Sequence, residues 1–320
     1  MGWVTGFEPA TSGATAWAMR HRASAIGRWL LAGGAATAMA GCSRLASIPY
    51  TPQQTPESWL RVQPFVEFRL AAGTIILVQP TTTAIVYLLG LVAISAGVWL
   101  FRIRTAQRSR LWWAIALVLW GAGALLAGTS YEAFSYHLKC AGRTVCAWTS
   151  WWEIWYLIAA AASVDAILVA HAYSCAAGPR RQLLIRYAFI HFAVYGIAVL
   201  VGALVPIRGL ISFEMLLLVS APNAAMAAIH NGWRYHACRR PLDRVLLQAW
   251  AWLGLTIGAY YLYLASGLTQ RLWLRGLWWC ENDVLHAGLL VWVGYFVCFV
   301  AARLEDEPGA GDAPPVGSAQ

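Results

Sequence analysis

The sequence predicts an all-α fold, a bundle of seven transmembrane helices. Of the 320 residues, 60% are hydrophobic and only 12% are charged, and the mean hydropathy is +0.57. A water-soluble domain cannot bury that much apolar surface, whereas the interior of a lipid bilayer accepts it. Seven apolar runs are long enough to cross a bilayer as helices. They lie at 81–101, 111–131, 151–173, 184–205, 210–232, 245–267 and 283–302, within a membrane domain over 81–302.

Basic residues between these runs predict the orientation of the bundle. The loops after the first, third, fifth and seventh runs carry 12 basic residues, against five in the opposite loops. The positive-inside rule assigns the richer side to the cytoplasm. We therefore predict a multi-pass protein of the bacterial inner membrane, with the N-terminus outside and the C-terminus cytoplasmic. The 12 are Arg102, Arg104, Arg108, Arg110, Arg180, Arg181, Arg186, Arg234, Arg239, Arg240, Arg244 and Arg303; the five are Lys139, Arg143, Arg208, Arg271 and Arg275.

The net charge of +9 follows from these loop arginines. Because they are spread over several loops rather than gathered in one patch, they predict no nucleic-acid partner. The expected partner is the lipid bilayer.

Residues 1–42 predict a leader segment. The apolar stretch 29–41 is too short for an ordinary span and has the length of a signal-peptide core. The sequence Met39-Ala40-Gly41-Cys42 resembles a bacterial lipoprotein cleavage box, which implies lipidation of Cys42. Cleavage there would also deliver an outside N-terminus. The alternative is an uncleaved leader or a later start, at Met19 or Met39.

Two further segments flank the membrane domain. Residues 43–80 begin with a proline-rich stretch that predicts an extended extracytoplasmic linker. They end with the apolar segment 65–78, which Glu67 and Arg69 interrupt and which we expect at the membrane surface. The acidic, Pro/Gly/Ala-rich residues 303–320 predict a disordered tail.

Cys140 and Cys146 fall in the outer loop after the second run. An oxidising exterior permits a disulfide between them, closing a small loop. The competing interpretation is a metal site in which His137 joins the two cysteines, although no fourth ligand lies at a normal spacing.

Polar side chains gather at the predicted outer ends of the spans. Carboxylates and histidines at one depth can bind a divalent cation such as zinc or carry out acid–base chemistry. The group consists of Ser130, Glu132, His137, Glu153, Asp283 and His286.

Helix ends offer a structural explanation for part of this group. Asn282 or Asp283 is a normal helix N-cap, and negative charge suits the N-terminal end of a helix. Ser150 and Glu153 have the spacing of a capping box. Capping does not explain the histidines, so a functional role for the group stays open.

Asp165 lies in the middle of the third span, where no capping role exists. We expect its carboxyl group to face the interior of the bundle. Asn223 follows Pro222 in the middle of the fifth span, where a proline frees a backbone carbonyl. A path through Asp165, Asn223 and the outer group would suit proton or substrate movement. The alternative is interhelical hydrogen bonding alone.

The order of these features resembles the alkaline-ceramidase and progestin-receptor-like superfamily of membrane hydrolases. The resemblance covers seven spans, a Ser/His-bearing end of the second, an Asp in the third and a His in the seventh. It implies a zinc amidase with His137 and His286 as ligands and Ser130 and Asp165 as auxiliary groups. The chain departs from that family's spacings, because Ser130 and His137 are seven apart and Asn282 stands four residues before His286.

Two functional hypotheses follow. The first is a metal-dependent lipid or amide hydrolase at the outer leaflet, acting on a lipid-like substrate through Ser130, Asp165 and Asp283 as catalytic residues and Glu132, His137, Glu153 and His286 as metal ligands. The second is a non-enzymatic membrane sensor, scaffold or small transporter. The sequence carries no phosphate-binding glycine loop, His-Glu-x-x-His motif or nucleophile elbow.

Overall fold

The computed structural model describes residues 44–71 and 73–308. The predicted leader with Cys42 and the tail residues 309–320 lie outside the described residues.

Seven of the described helices are long and apolar enough to cross a membrane, the number that the sequence predicts. These seven are α2, α3, α5, α6, α7, α8 and α10. The helices are α1 (Pro56–Arg61), α2 (Pro80–Arg102), α3 (Arg108–Ala127), α4 (Ser135–Lys139), α5 (Trp151–Cys175), α6 (Gly178–Leu204), α7 (Phe213–Cys238), α8 (Pro241–Ser266), α9 (Leu268–Trp273) and α10 (Glu281–Tyr295). Wider π-helical turns continue α3 over Gly128–Ala133 and α10 over Phe296–Val300, and a 3₁₀ turn covers Ala301–Arg303.

Several helices extend beyond the apolar runs that predict them. Helix α6 begins at Gly178 rather than at 184, and α7 ends at Cys238 rather than at 232. The added turns carry arginine and histidine side chains. Long or polar side chains can extend from a helix end toward water, as those of the exposed Arg180 and His236 do, while the backbone stays helical.

The segment expected at the membrane surface is a β-hairpin. Strands β1 (Phe65–Leu70) and β2 (Gly73–Val78) pair antiparallel, with Phe65 opposite Val78 and Leu70 opposite Gly73. Glu67 and Arg69 alternate with apolar residues along β1, which is the period of a strand. The all-α prediction therefore needs this two-stranded addition.

Helix α3 packs against both α2 and α5. Helix α10 packs against α2 and α8, α7 packs against α8 and α5, and α6 packs against α5. Trp113 of α3, Trp292 of α10 and Phe296 in the π-helical turn after α10 are buried, and their rings stack or tilt against one another. These aromatic side chains join the second and last spanning helices in the interior of the bundle.

The two ends of the bundle differ in chemistry. The disulfide end carries the hairpin, α1 and the loop in which Cys140 and Cys146 lie at disulfide distance, with sulfur atoms 2.07 Å apart, as the sequence predicts. The arginine end carries the loops 103–107, 176–177 and 239–240 together with residues 304–308. The sequence predicts disorder from residue 303, but the structure packs Leu304 in the interior and fixes Asp306 and Glu307 by hydrogen bonds.

Candidate functional site

A buried network around Glu153 lies at the disulfide end. The Ser130 hydroxyl, on the π-helical turn after α3, donates to Glu153 Oε1 at 2.8 Å. Ser130 Oγ is also 2.6 Å from Ser150 Oγ, and Lys139 of α4 forms an ion pair with Glu153. Both charged side chains of this pair are 3% exposed. The network joins the π-helical turn after α3, helix α4 and the start of α5.

The predicted capping box at the start of α5 is wrong. Ser150 occupies the N-cap position, but its side chain caps no backbone N–H. Its hydroxyl instead contacts Ser130, and Glu153 is engaged by Ser130 and Lys139. A buried lysine charge is a stronger partner for the carboxylate than a backbone amide, and it decides the orientation of Glu153.

The start of α10 is capped as the sequence suggests, with a shift in position. The N-cap is Cys280, and Asp283 Oδ2 accepts its backbone N–H at 2.6 Å. Asn282 turns the other way, and its side-chain amide donates to Glu132 Oε1 at 3.1 Å. Asp283 is thus held as a capping group.

Cys280 lies just before α10 and is buried. Its sulfur is 3.3 Å from the Thr82 hydroxyl. Burial, assisted by the Asp283 charge, raises the pKa of the Cys280 thiol to about 12. The group is therefore a protonated thiol at neutral pH and not a thiolate nucleophile.

The predicted metal ligands do not assemble. His137 Nε2 accepts the backbone N–H of Ile76 in β2 at 2.9 Å, so the lone pair that a metal would need is already in use. Glu153 is paired with Lys139, and Glu132 is bonded to Asn282. Among residues 44–71 and 73–308, no three His, Cys, Asp or Glu side chains lie where they could hold a metal ion. The residues present do not fit a zinc centre.

Several polar atoms at this end are buried without a hydrogen-bond partner in the described chain. Among them are Glu132 Oε2, Asp283 Oδ1 and His286 Nδ1. An orphaned buried acceptor is costly, and it marks the region where a bound molecule would gain most.

A second cluster lies at the middle of the bundle, between α5, α6 and α7. His191 Nδ1 is 2.9 and 3.0 Å from the two carboxylate oxygens of Asp165. Asn223 donates its amide to Asp165 Oδ1 at 2.9 Å, and the Tyr187 hydroxyl donates to Asn223 Oδ1 at 2.9 Å. Asp165 and Asn223 are buried, as the sequence predicts for Asp165. Spacing along the chain does not predict that His191 joins them, because His191 lies on a different helix from each.

The hydrogen bonds around His191 constrain its protons. His191 Nε2 lies 3.1 Å from the backbone oxygen of Val219, which can only accept, so Nε2 carries a proton. The contact between Nδ1 and Asp165 then requires one more proton, on the ring or on the carboxyl group. A neutral histidine and an ionised aspartate together carry one proton fewer than this contact requires. The Asp165–His191 pair therefore holds one additional proton.

A third cluster lies toward the arginine end. His171 Nε2 of α5 is 2.9 Å from His230 Nδ1 of α7. In the next turn of α7, Asn231 and Arg234 donate to the buried Asp243 of α8, at 2.8 and 3.2 Å. The sequence offered no sign of Asp243, because an acidic residue in a first helical turn resembles an ordinary helix start.

Comparison of the chain with protein-family models, with curated proteins and with solved structures finds no match in any of the three. The likeness to the alkaline-ceramidase superfamily stays a hypothesis that rests on the order of spans and residues alone.

Proposed function

We propose that the chain is a multi-pass protein of the bacterial inner membrane, with the disulfide end outside and the arginine end in the cytoplasm. The support is the arginine asymmetry between loops and the disulfide, which needs an oxidising compartment. Cys238 is exposed at the arginine end. A membrane-impermeant maleimide should label Cys238 in inside-out vesicles and not in right-side-out ones; the reverse pattern would overturn the orientation.

Within that membrane, we propose a proton-responsive sensor or small transporter. The observation that carries the proposal is the Asp165–His191 contact, because it holds one exchangeable proton inside a seven-helix bundle. Ionisable residues at membrane depth are costly, and they mark proton relays and substrate pathways. The only other titratable side chain that joins the cluster within the described chain is Tyr187, which reaches Asn223.

Release of the proton would force the cluster to change. If His191 keeps its proton on Nε2, an Nδ1 lone pair faces the Asp165 carboxylate. If the proton moves to Nδ1, the bond to the Val219 carbonyl is lost. Asn223, whose amide nitrogen is 3.4 Å from Nδ1, is the donor able to replace the missing proton, and it would leave Asp165 to do so.

Helix α7 is suited to report such a change. Pro222 interrupts its backbone ladder directly beside Asn223 and Val219. A proline inside a helix removes one hydrogen bond and weakens the helix locally. The proton therefore acts at a hinge, and a shift of Asn223 or of the Val219 contact would move the arginine end of α7.

A fluorophore on Cys238, at the end of α7, tests this directly. Cys42 and Cys298 would be replaced by serine so that Cys238 is the one exposed thiol to be labelled. We expect a fluorescence transition with pH in the reconstituted protein, and we expect Asp165→Asn and His191→Gln to abolish it. Asparagine keeps the shape of Asp165 but cannot share the proton.

Ser163→Ala is the matched control. Ser163 is a buried polar residue of the same helix, but it donates to the Ala116 carbonyl and not to the cluster. The control should retain the transition. A wild-type protein without a transition, or an Asp165→Asn protein that keeps one, would reduce the cluster to interhelical hydrogen bonding.

A second candidate is a lipid or amide hydrolase at the disulfide end. The observation that favours it is that Glu132 Oε2 and His286 Nδ1 are buried without hydrogen-bond partners in the described chain, at the same end of the bundle where the Ser130 hydroxyl donates to Glu153. Because the described residues do not fit a zinc centre, this candidate is a hydrolase without a bound metal, and hydrolysis of lipid and amide substrates by the detergent-purified protein tests it. Hydrolysis that Ser130→Ala abolishes would support it, whereas a protein without hydrolysis would argue against it.

A further inference from the structure

A small cavity with arginine side chains in its wall lies at the arginine end, between the ends of α7, α8 and α10. Its volume is about 300 Å³. Arg239 follows α7, Arg244 lies in the first turn of α8, and Arg303 ends the 3₁₀ turn after α10. Gln248, one turn along α8 from Arg244, also lines it. The cavity thus lies where the short connection between α7 and α8 meets the end of the last spanning helix.

These three arginines differ from their neighbours in having no acidic partner. Arg234 and Arg240 form ion pairs with Asp243 and Glu307. In the part of the chain that the structure describes, no carboxylate forms an ion pair with any of the three cavity arginines. Each of the three is exposed.

Their existing contacts leave most of their hydrogen-bond donors unused. The Arg239 guanidinium lies over the Tyr235 ring, 5.3 Å from its centre. Arg303 donates one N–H to the Phe299 carbonyl at 2.5 Å. A guanidinium has five N–H donors. Gln248 Oε1 accepts from the Tyr295 hydroxyl at 2.8 Å, which leaves its NH₂ group as a further donor.

Three like charges around one cavity repel one another, and an anion in the cavity would relieve that repulsion. Guanidinium groups match the oxygen atoms of a phosphate with paired hydrogen bonds. The N-terminal end of α8, which opens at Pro241, adds positive potential at the same place. The chemistry of the cavity is therefore that of a phosphate site.

We propose that this cavity binds the phosphate group of an anionic phospholipid headgroup. It lies at the ends of helices long enough to span a membrane, which is the depth of the headgroups, and basic pockets between such helices recognise anionic lipids. Its volume is at the lower end of the roughly 300–1,000 Å³ range of ligand pockets, which suits a headgroup rather than a larger solute. The proposal rests on the membrane placement of the bundle and not on the proton cluster.

Native mass spectrometry of the detergent-purified full chain tests the proposal with three probes. They are dihexanoyl phosphatidylglycerol, dihexanoyl phosphatidylcholine and inorganic phosphate. We expect one phosphatidylglycerol per chain to bind more tightly than either other probe. Arg239→Gln with Arg244→Gln should weaken that binding roughly ten- to thirtyfold, as the loss of two basic groups near a membrane surface implies.

Arg102→Gln with Arg186→Gln is the matched control. Both residues are exposed in α2 and α6 and lie outside the cavity, so the control removes the same charge. It should bind as the wild type does. If the double cavity variant does not fold, Arg303→Gln alone takes its place, with a smaller expected loss.

Three results would overturn the proposal. Equal binding of phosphatidylcholine would show that the negative charge is not recognised. Equal or tighter binding of inorganic phosphate would identify a soluble anion as the ligand. Phosphatidylglycerol binding that survives both Arg239→Gln/Arg244→Gln and Arg303→Gln would place the lipid elsewhere.

Discussion

The Lys139–Glu153 ion pair is the most completely buried pair of opposite charges that the described residues form. Lys139 also lies over the Tyr131 ring, 4.8 Å from its centre, and Ser130 adds a hydrogen bond to Glu153. Each partner compensates the other's loss of water, so the pair is stable only when it is complete. The sequence alone shows Lys139 only as one of the basic residues in the outer loops.

Removing one member of this pair should destabilise the protein strongly. Lys139→Met leaves the Glu153 carboxylate buried without its charge partner, at a cost of about 3–5 kcal/mol. Lys139→Met with Glu153→Gln removes both charges and should recover most of that loss. Chemical unfolding in detergent, followed by tryptophan fluorescence, gives the free energies. Additive losses in the double variant would show that the two residues do not act as a pair.

The sequence identifies chemically important side chains better than it identifies their partners. Asp165 is predicted to face the interior, and it does, because a mid-span carboxylate has no other favourable place. His137 was expected to bind metal, but it accepts a backbone N–H from a strand 61 residues away in sequence. Periodicity gives the position of a residue on one helix, and it cannot give the rotation of neighbouring helices about their axes.

At the scale of elements, glycine controls how closely α2 and α3 approach. A Cβ atom at Gly121 would lie 2.5 Å from the Gly90 carbonyl oxygen and 2.9 Å from the Ile94 nitrogen. A Cβ atom at Gly97 would lie 2.8 Å from the Ala114 carbonyl oxygen. Small residues permit such backbone contact between membrane helices, where lipid provides no hydrophobic drive for association.

Gly121→Ala should therefore separate α2 from α3. The clash is with backbone atoms, which cannot move aside as a side chain does, and we expect a loss of about 1–3 kcal/mol or more. Gly196→Ala in α6 is the control, because a Cβ atom there meets nothing within 4 Å. Thermal melts of the detergent-purified variants provide the comparison. Equal melting temperatures for the two variants would contradict the close-contact interpretation.

The number and order of spanning helices were predictable from the sequence, because seven apolar runs of sufficient length lie between polar loops. The hairpin was not predictable, because the apolar segment 65–78 is short and carries too few polar residues for their spacing to identify a strand. The ends of α6 and α7 were misjudged for a different reason: hydropathy reports contact with lipid, whereas the helical backbone continues into the polar layer.

At the scale of the whole molecule, residues 304–308 hold the helix ends together at the arginine end by hydrogen bonds. Asp306 accepts the backbone N–H groups of Arg108 and Ser109 at 2.8 and 2.7 Å, at the start of α3. The Glu307 carboxylate bonds Arg234 of α7 and Arg240 before α8, and its N–H donates to the Tyr173 carbonyl of α5 at 2.8 Å. The acidic composition predicts disorder, but the two carboxylates accept hydrogen bonds from backbone amides at the start of α3 and from arginines at the end of α7 and before α8.

The stability that these hydrogen bonds contribute should depend on pH through the Glu307 carboxyl group. Burial acts to raise the pKa of its carboxyl group, but hydrogen bonds from Arg240 and Arg234 outweigh burial and hold the pKa below its ordinary value of 4.5. A depressed pKa contributes stability that is complete above the unfolded-state value and is lost as the pH falls through the folded-state value. Glu307→Gln should cost about 1 kcal/mol at pH 7, after allowance for solvent screening.

Melting temperatures measured from pH 7 to pH 3 would reveal this dependence. The gap between the wild type and Glu307→Gln should be full at neutral pH and should close as the pH falls below 4.5 and through the lowered folded-state pKa, where the wild-type carboxyl group takes up its proton. Glu305→Gln, a change at the exposed neighbouring acid that forms no ion pair with a described residue, should show no gap at any pH. A gap that persists unchanged at pH 3 would mean that Glu307 stabilises the bundle by shape and not by charge.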